Sequence, residues 1–214
     1  AAAGPGLRSD ISSRKRELRE AIWREMEKQK IARFPLPCTG RIPNFVGAEQ
    51  AATKLRELEI YKESSVVLVC PDLAQAPVRR GVLLDCKTLV MPTPRLRKGY
   101  VVVQPADARS KEVEASTIKG AFRYGRISEA MPRVELVVEG CVAVDREGNR
   151  LGKGGGYGDA EIRTARNLDG NVKVVTTCHS IQVVGSVPAG QGDEKVDCIV
   201  TERDVIETLG KKAR

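Results

Sequence analysis

A glycine-rich stretch at residues 150–159 holds the residue types best suited to chemistry. It reads Arg150-Leu151-Gly152-Lys153-Gly154-Gly155-Gly156-Tyr157-Gly158-Asp159. Glycine has no Cβ and reaches positive φ angles, so several backbone N–H groups can face one anion at short range. The two cations suit phosphate, and the carboxylate suits Mg²⁺. Because an apolar run precedes the stretch and a helix-compatible segment follows it, the pattern predicts a phosphate site at a helix start.

A plain turn is the alternative interpretation of these glycines. The preceding residues, Asp145-Arg146-Glu147-Gly148-Asn149, are typical of a hairpin turn with a flexible exit. The spacing matches neither the P-loop, which needs Lys-Ser or Lys-Thr after its last glycine, nor the dinucleotide fingerprint with its distal acid. The residues of the stretch therefore leave both interpretations open.

Composition limits the classes of protein and partner. Hydrophobic residues make up 41% and charged residues 30% of 214 residues, which predicts a globular protein with a real core. No apolar run approaches the roughly 18 residues of a membrane span, so we expect no membrane insertion. The net charge of +8 fits a polyanionic small ligand or a weak RNA contact. With only 4% aromatic residues for base stacking, we do not expect a dedicated nucleic-acid site.

A basic amphipathic helix is predicted near the start of the chain, from Ser13 to Ile31. Its apolar residues recur at steps of three and four among charged ones. Lys15 and Arg19 lie four positions apart and therefore share one face of this helix. That face could equally be a solvated basic surface interleaved with Glu17 and Glu20.

The remaining elements alternate between helix and strand. A second helix is predicted over Ala48–Leu58, a helical or irregular insertion over Ser110–Phe122, and further helices over Asp159–Asn167 and Glu202–Leu209. Strands are predicted at Val66–Val69, Gly81–Leu84, Thr88–Met91, Tyr100–Val103, Val134–Val144, Val172–Thr176 and Cys198–Val200. This alternation favours a layered α/β fold with parallel strands, and the continuous apolar runs indicate that both sheet faces are covered.

A single domain is the simplest organisation. We expect a disordered or processed N-terminus at residues 1–12, one α/β domain at 13–210 and a basic tail at 211–214. The first residues include Ala1 and lack an initiator Met, as expected after removal of an organelle transit peptide or after trimming. An organelle, chloroplast rather than mitochondrion, is therefore the expected location, with the cytoplasm as the alternative.

Three segments, in this order, resemble the 5-formyltetrahydrofolate cyclo-ligases, also called methenyltetrahydrofolate synthetases. Lys15-Arg16-Glu17-Leu18-Arg19 is similar to the family's Lys-x-x-Leu-Arg, which contacts ATP. The stretch at 150–159 is similar to Arg-Leu-Gly-x-Gly-x-Gly-Tyr-Tyr-Asp, whose loop binds ATP phosphates and whose aspartate binds Mg²⁺. The segment at 193–197 resembles the one that carries a further metal-linked aspartate, which is Asp193 here.

One branch of that family is more similar than the others. Segments 41–45, 91–97 and 137–144 resemble the methenyltetrahydrofolate synthetase domain-containing proteins and their plant and algal relatives. The resemblance implies a three-layer α/β/α sandwich of the ribose-phosphate-isomerase and CoA-transferase type, with a mixed, mostly parallel sheet and an N-terminal amphipathic helix.

The resemblance also implies a site and a reaction. The formyl oxygen of 5-formyltetrahydrofolate attacks the γ-phosphate of ATP, then N10 closes the ring and phosphate leaves, which gives 5,10-methenyltetrahydrofolate. Lys153 and Arg150 take the catalytic roles by offsetting charge, and Asp159 with Asp193 holds Mg²⁺. The nucleotide-binding residues are Lys15, Arg16, Leu18, Arg19, Arg150, Leu151, Gly152, Lys153, Gly154, Gly155, Gly156, Tyr157 and Gly158.

The sequence departs from the family mainly on the folate side. Gly158 stands where the family has a second tyrosine, and the region at 70–77 lacks the glutamate of the family's folate loop. The Trp-Gly-Ile-type segment that closes on folate has only Phe122-Arg123-Tyr124-Gly125 as its counterpart. We therefore expect a folate-related Mg-ATP-binding protein in which turnover is weakened or lost. The alternatives are a non-catalytic scaffold or accessory subunit of an organelle assembly and, on charge alone, an RNA-associated protein.

Overall fold

The computed structural model describes residues 5–209. The predicted basic tail at 211–214 and the first four residues of the predicted processed N-terminus lie outside the described residues. The helices are α1 (Pro5–Lys28), α2 (Ala48–Glu57), α3 (Glu59–Lys62), α4 (Ala76–Leu84), α5 (Glu112–Ala115), α6 (Ile118–Tyr124) and α7 (Tyr157–Leu168). The strands are β1 (Val66–Val69), β2 (Thr88–Pro92), β3 (Tyr100–Val103), β4 (Arg126–Ser128), β5 (Leu136–Glu139), β6 (Ala143–Asp145), β7 (Arg150–Leu151), β8 (Lys173–Thr177), β9 (Val183–Val184), β10 (Cys198–Val200) and β11 (Val205–Glu207).

An eight-stranded mixed sheet organises the chain, in the order β11-β10-β8-β5-β1-β2-β3-β4. The strands from β10 to β2 in this order are mutually parallel, and β11, β3 and β4 are antiparallel to their neighbours. A smaller sheet, β7-β6-β9, branches off after β5. Parallel strands with both faces covered need apolar side chains on both sides, which explains the Val-rich runs.

Helices cover both faces of the large sheet. On one face Met26 of α1 and Leu55 of α2 share a core with Val67 of β1. On the other face Ile162 of α7 shares a second core with Val137 of β5. These two cores confirm the predicted α/β sandwich with a mostly parallel sheet and an N-terminal helix. Within residues 5–209, the structure has no helix long and apolar enough to cross a membrane.

The structure corrects two predicted elements in the N-terminal half. Helix α1 begins at Pro5 rather than Ser13, so part of the segment expected to be disordered is helical. The predicted strand Gly81–Leu84 is the end of α4. Val78 and Val82 are both buried, at a spacing of four, and Pro77 lies at the start of the helix, where its missing N–H has no cost. A short apolar run does not distinguish a strand from a buried helix end.

Two further predictions were wrong in the C-terminal half. The apolar run Val134–Val144 forms two strands, β5 and β6, rather than one. The segment predicted as a closing helix contains β11, which pairs with β10 in the register Val200↔Val205. The Thr201 hydroxyl closes the turn between them, because it accepts hydrogen bonds from the backbone N–H groups of Arg203 and Asp204. Pairing with a sheet edge here outweighs a local helical pattern.

The order in which the chain adds strands to the sheet reverses between β1 and β5. From β1 the chain passes through α4 to β2 on one side, and from β5 it passes through α7 to β8 on the other side. The carboxyl ends of two such neighbouring strands splay their following loops apart, and ligands of open α/β sheets bind in the crevice that results.

Candidate functional site

A cleft of about 520 Å³ lies at the carboxyl ends of β1, β2 and β5. The entire stretch from Arg150 to Asp159 lines it, and residues from distant parts of the chain complete it. These include Lys15, Arg19, Ile42, Asp72, Pro94, Arg95, Ile118, Glu139, Glu161 and Asp193. The predicted glycine loop is therefore part of a cavity large enough for small ligands and is not an isolated turn.

The glycine loop joins β7 to α7. Gly154 has φ of 112° and Gly156, the residue before α7, has φ of 71°. Side-chain-bearing residues rarely adopt such angles, so glycine is favoured at both positions. The first N–H groups of α7 have no partner within the helix, and with the helix dipole they favour an anion at this end. The loop therefore offers the cleft backbone donors that can bind phosphate.

Helix α1 contacts the loop and the late acidic segment. Arg19 Nε donates to the Gly152 carbonyl at 2.7 Å. Lys15 Nζ donates to both carboxylate oxygens of Asp193, at 2.7 and 2.5 Å. Burial lowers the pKa of Arg19, and the Asp193 carboxylate partly opposes this shift. The three segments on which the family resemblance rests thus meet in space.

Two predicted nucleotide-binding residues do not line the cleft. Arg16 is exposed to solvent and Leu18 packs against the hydrophobic core. Positions four apart on a helix share a face, whereas the positions between them point elsewhere. The structure therefore places Lys15 and Arg19 in the cleft and Arg16 and Leu18 outside it.

Arg150 is the most deeply buried cation of the cleft, with 3% of its side chain exposed. It donates to the Gly140 carbonyl at 3.1 Å and to Asp159 Oδ1 at 2.9 Å. Burial alone would lower the pKa of Arg150, but the carboxylates of Asp159 and Glu139 keep it above its ordinary value. Arg150 is therefore a fixed positive charge beneath the loop.

Gly158 makes room for that guanidinium. A Cβ built on Gly158 would lie 2.9 Å from Arg150 Nη2, closer than Cβ contacts normally come. The position where the family carries a second tyrosine thus lies against the Arg150 side chain.

Lys153 is the more exposed of the two predicted catalytic cations. Its side chain is 42% exposed, and its Nζ donates to Asp72 Oδ1 at 2.7 Å. Asp72 follows β1, so this ion pair connects the glycine loop to the other wall of the cleft. A solvent-exposed pair of this kind is weak and can exchange partners readily.

The donor chemistry at Asp159 and Asp193 fits Mg²⁺. Asp159 Oδ1 also accepts the Glu194 N–H at 3.1 Å, which brings the two predicted metal carboxylates into neighbouring segments. Both are paired with cations, Asp159 with Arg150 and Asp193 with Lys15. Among residues 5–209 no group of three or more His, Cys, Asp or Glu could hold a metal ion. Mg²⁺ at this place would therefore need phosphate and water oxygens as further ligands, as is usual for Mg²⁺.

Two buried glutamates of the cleft were not predicted from the sequence. Glu139 ends β5 and Glu161 lies in α7, and each is only 4% exposed. Burial raises the pKa of both carboxyls, and the proximity of Glu139 raises that of Glu161 further. A charged residue at the end of an otherwise apolar strand was the available signal, since buried charges concentrate at functional sites.

The cleft thus has two chemically different sides. The loop side consists of Lys15, Arg19, Asp193 and residues 150–159. The acid side consists of Asp72, Glu139 and Glu161 with the apolar residues Ile42, Pro94 and Ile118.

Comparison with known proteins supports the resemblance of the three segments that meet at this cleft. The model of the 5-formyltetrahydrofolate cyclo-ligase family matches residues 5–202. The chain belongs to this family. Relatives named methenyltetrahydrofolate synthase domain-containing protein match over 91% of the chain in Bos taurus, at 39% identity, and over 94% in Homo sapiens, at 38% identity. Membership in this family, with its folate-related chemistry, confirms the resemblance found in the sequence, including the branch.

The chain spans about half the length of these relatives, 54% of the bovine and 55% of the human protein. Two solved structures share the fold of the present chain. The 5,10-methenyltetrahydrofolate synthetase of Aquifex aeolicus has a TM-score of 0.59 at 22% identity, covering 94% of this chain and 95% of its own. The enzyme of the same name from Mycoplasma pneumoniae has a TM-score of 0.55 at 13% identity, covering 88% of this chain and 99% of its own.

Proposed function

We propose that this protein binds Mg-ATP on the loop side and a reduced folate on the acid side, and converts 5-formyltetrahydrofolate slowly to 5,10-methenyltetrahydrofolate. The observation that carries this proposal is the meeting of α1, the glycine loop and the Asp193 segment through two contacts. These are Arg19 with Gly152 and Lys15 with Asp193. The family membership supports it, because its reaction needs ATP phosphates beside a folate.

The loop side has the groups that phosphoryl transfer requires. Lys15, Arg19 and Lys153 bring positive charge to one cavity, and the loop and the start of α7 add backbone donors. Arg150 is already held in place by Gly140 and Asp159, so its charge needs no reorganisation during the reaction. Mg²⁺, when bound by Asp159 and Asp193, supplies further neutralisation of phosphate charge.

The proposed slow rate follows from the ion pairs. Lys15, Lys153 and Arg150 each contact a carboxylate of the same cleft, and the two lysines must change partner to reach a phosphate. Breaking the ion pair with the carboxylate uses up part of the binding free energy that the lysine would otherwise contribute to the transition state. Gly158 also provides no aromatic surface for a substrate.

The direct test is the absorbance of 5,10-methenyltetrahydrofolate in a mixture of protein, 5-formyltetrahydrofolate, ATP and Mg²⁺. We expect slow formation by the unmodified chain, a loss of about tenfold or more in K153A, corresponding to about 1.4 kcal/mol, and no change in K62A. Lys62 is the matched control because it is an exposed lysine on α3, away from the cleft. Formation that K153A leaves unchanged would refute the placement of the reaction at the loop.

A non-catalytic binding protein or accessory subunit is the second candidate. It is favoured by one observation: the ion pairs Lys15–Asp193, Arg150–Asp159 and Lys153–Asp72 neutralise the cleft internally. This candidate predicts calorimetric binding of Mg-ATP without formation of product. If the chain neither binds Mg-ATP nor forms product, both candidates are wrong.

A further inference from the structure

Glu139 has a feature that neither the loop side nor the fold explains. It ends β5, lines the cleft and is 4% exposed. Among the described residues, its Oε1 is a buried atom with no hydrogen-bond partner. Native structures satisfy nearly all buried polar atoms, because an unsatisfied one costs the free energy of its desolvation. An exception that lines a cavity calls for a ligand group as its partner.

The chemistry around Glu139 shows which kind of group is missing. Its neighbours include three carboxyls: that of Glu161, with which the Glu139 carboxyl shares a hydrogen bond, and those of Asp72 and Asp159. The nearby cation, Arg150, donates from its two Nη atoms to Gly140 and Asp159, and its Nε has no hydrogen-bond partner among the described residues. A carboxylate oxygen accepts hydrogen bonds, so the partner that fits is an N–H or O–H donor that enters from the cleft.

The walls beside Glu139 favour a flat ring over a sugar or a phosphate. Ile42, Pro94 and Ile118 line the same cleft. A Cβ at Gly140 would lie 2.5 Å from Ile42 Cγ2, so Ile42 packs directly against the residue that follows Glu139. An apolar wall beside a buried acceptor suits a planar heterocycle, whose faces are apolar and whose edge carries N–H groups.

We propose that Glu139 binds the N–H edge of a nitrogen heterocycle on the acid side of the cleft. This inference rests on the proposed function, in which the heterocycle is the ring system of the reduced folate. It places the folate-recognising acid at the end of β5, whereas the loop at 70–77 after β1 contains Asp72 and no glutamate.

Calorimetric titration with 5-formyltetrahydrofolate and, separately, with Mg-ATP tests the assignment. We expect E139Q, which keeps the size of the side chain but removes its charge, to bind 5-formyltetrahydrofolate about tenfold more weakly. E139M, which has no acceptor oxygen, weakens it further. Both variants keep Mg-ATP affinity within about twofold, which also shows that they fold. E207Q, which changes an exposed glutamate on β11, is the control that leaves both affinities unchanged.

Three other results would overturn the assignment, and they separate it from the proposed function. Equal 5-formyltetrahydrofolate affinity in E139Q and the unmodified chain refutes the role of Glu139 alone. Weaker Mg-ATP binding with unchanged folate binding assigns the carboxylate to the nucleotide instead. No binding of 5-formyltetrahydrofolate by the unmodified chain, with Mg-ATP still bound, refutes the folate part of the proposed function and this inference together.

Discussion

The loop side and the acid side of the cleft handle charge in opposite ways. On the loop side Lys15 and Lys153 are paired with carboxylates, Lys15 in a partly buried pair and Lys153 in an exposed one. On the acid side Glu139 is buried with an oxygen that has no hydrogen-bond partner in the described part of the chain. Surface pairs exchange partners at little cost, whereas a buried acceptor has a strong preference for one kind of donor. The loop side is therefore suited to binding mobile phosphate charge, and the acid side to selecting a ligand.

The largest expected effect comes from Arg150, the buried cation of the loop side. R150M leaves Asp159 and Glu139 without the cation that balances them in a buried setting. Removing one partner of a buried ion pair costs about 3–5 kcal/mol. We expect a decrease of that size in the free energy of unfolding, measured with a chemical denaturant.

Arg163 provides the matched control for this experiment. It pairs with Glu194 on the outer face of α7, and 46% of its side chain is exposed. R163M should cost less than about 1 kcal/mol, as exposed ion pairs do. If both variants lose the same stability, burial does not distinguish Arg150 from a surface arginine, and the contrast between the two sides of the cleft is wrong.

A smaller effect is expected at Gly158. G158A places a methyl group 2.9 Å from Arg150 Nη2, while the guanidinium is held by Gly140 and Asp159. Overpacking of this kind costs about 1–3 kcal/mol. G170A is the control, because a Cβ at Gly170 meets no atom within 4 Å. Thermal unfolding of both variants checks this prediction, and equal melting temperatures would show that Arg150 moves aside without cost.

The smallest effect concerns the pH dependence of stability. Burial raises the pKa of Glu139 above its ordinary value of 4.5, although the contact with Glu161 and the charge of Arg150 oppose part of the shift. An acid whose pKa is higher in the folded state holds its proton longer there, so stability falls as pH rises above 4.5 through the folded value. We expect E139Q to flatten this fall in denaturant titrations between pH 4 and 8. A steeper fall in E139Q would contradict the sign of the shift.

The two sides also differ in how well the sequence predicted them. The loop side could be found because its residues stand together in one short stretch, and because Lys15 and Arg19 follow helical spacing. The same segment also includes Arg16 and Leu18, which lie outside the cleft, since a resemblance covers adjacent positions but a helix presents only one face to a site. The acidic residues of the acid side come singly from the loop after β1, from β5 and from α7, and no local pattern connects them.

The fold shows a related limit. Val66–Val69 and Tyr100–Val103 were predicted with the observed boundaries, because continuous apolar runs of strand length are typical of covered sheets. Gly81–Leu84 and Glu202–Leu209 were assigned to the wrong type of element. In both segments tertiary contacts, with the core for α4 and with the edge of β10 for β11, determined the outcome, and a local pattern does not contain them.

The contact between Lys15 and Asp193 joins positions separated by 178 residues. During synthesis the early helix emerges long before its acidic partner, so the cleft cannot be complete until nearly the whole domain has been made. Contacts between such distant positions also form late in folding, because a long loop must be closed first. Ligand affinity at this cleft would therefore report whether a molecule has finished folding. A fragment that lacks either end of the domain should keep the residues of the central strands but lose the contact that completes the cleft.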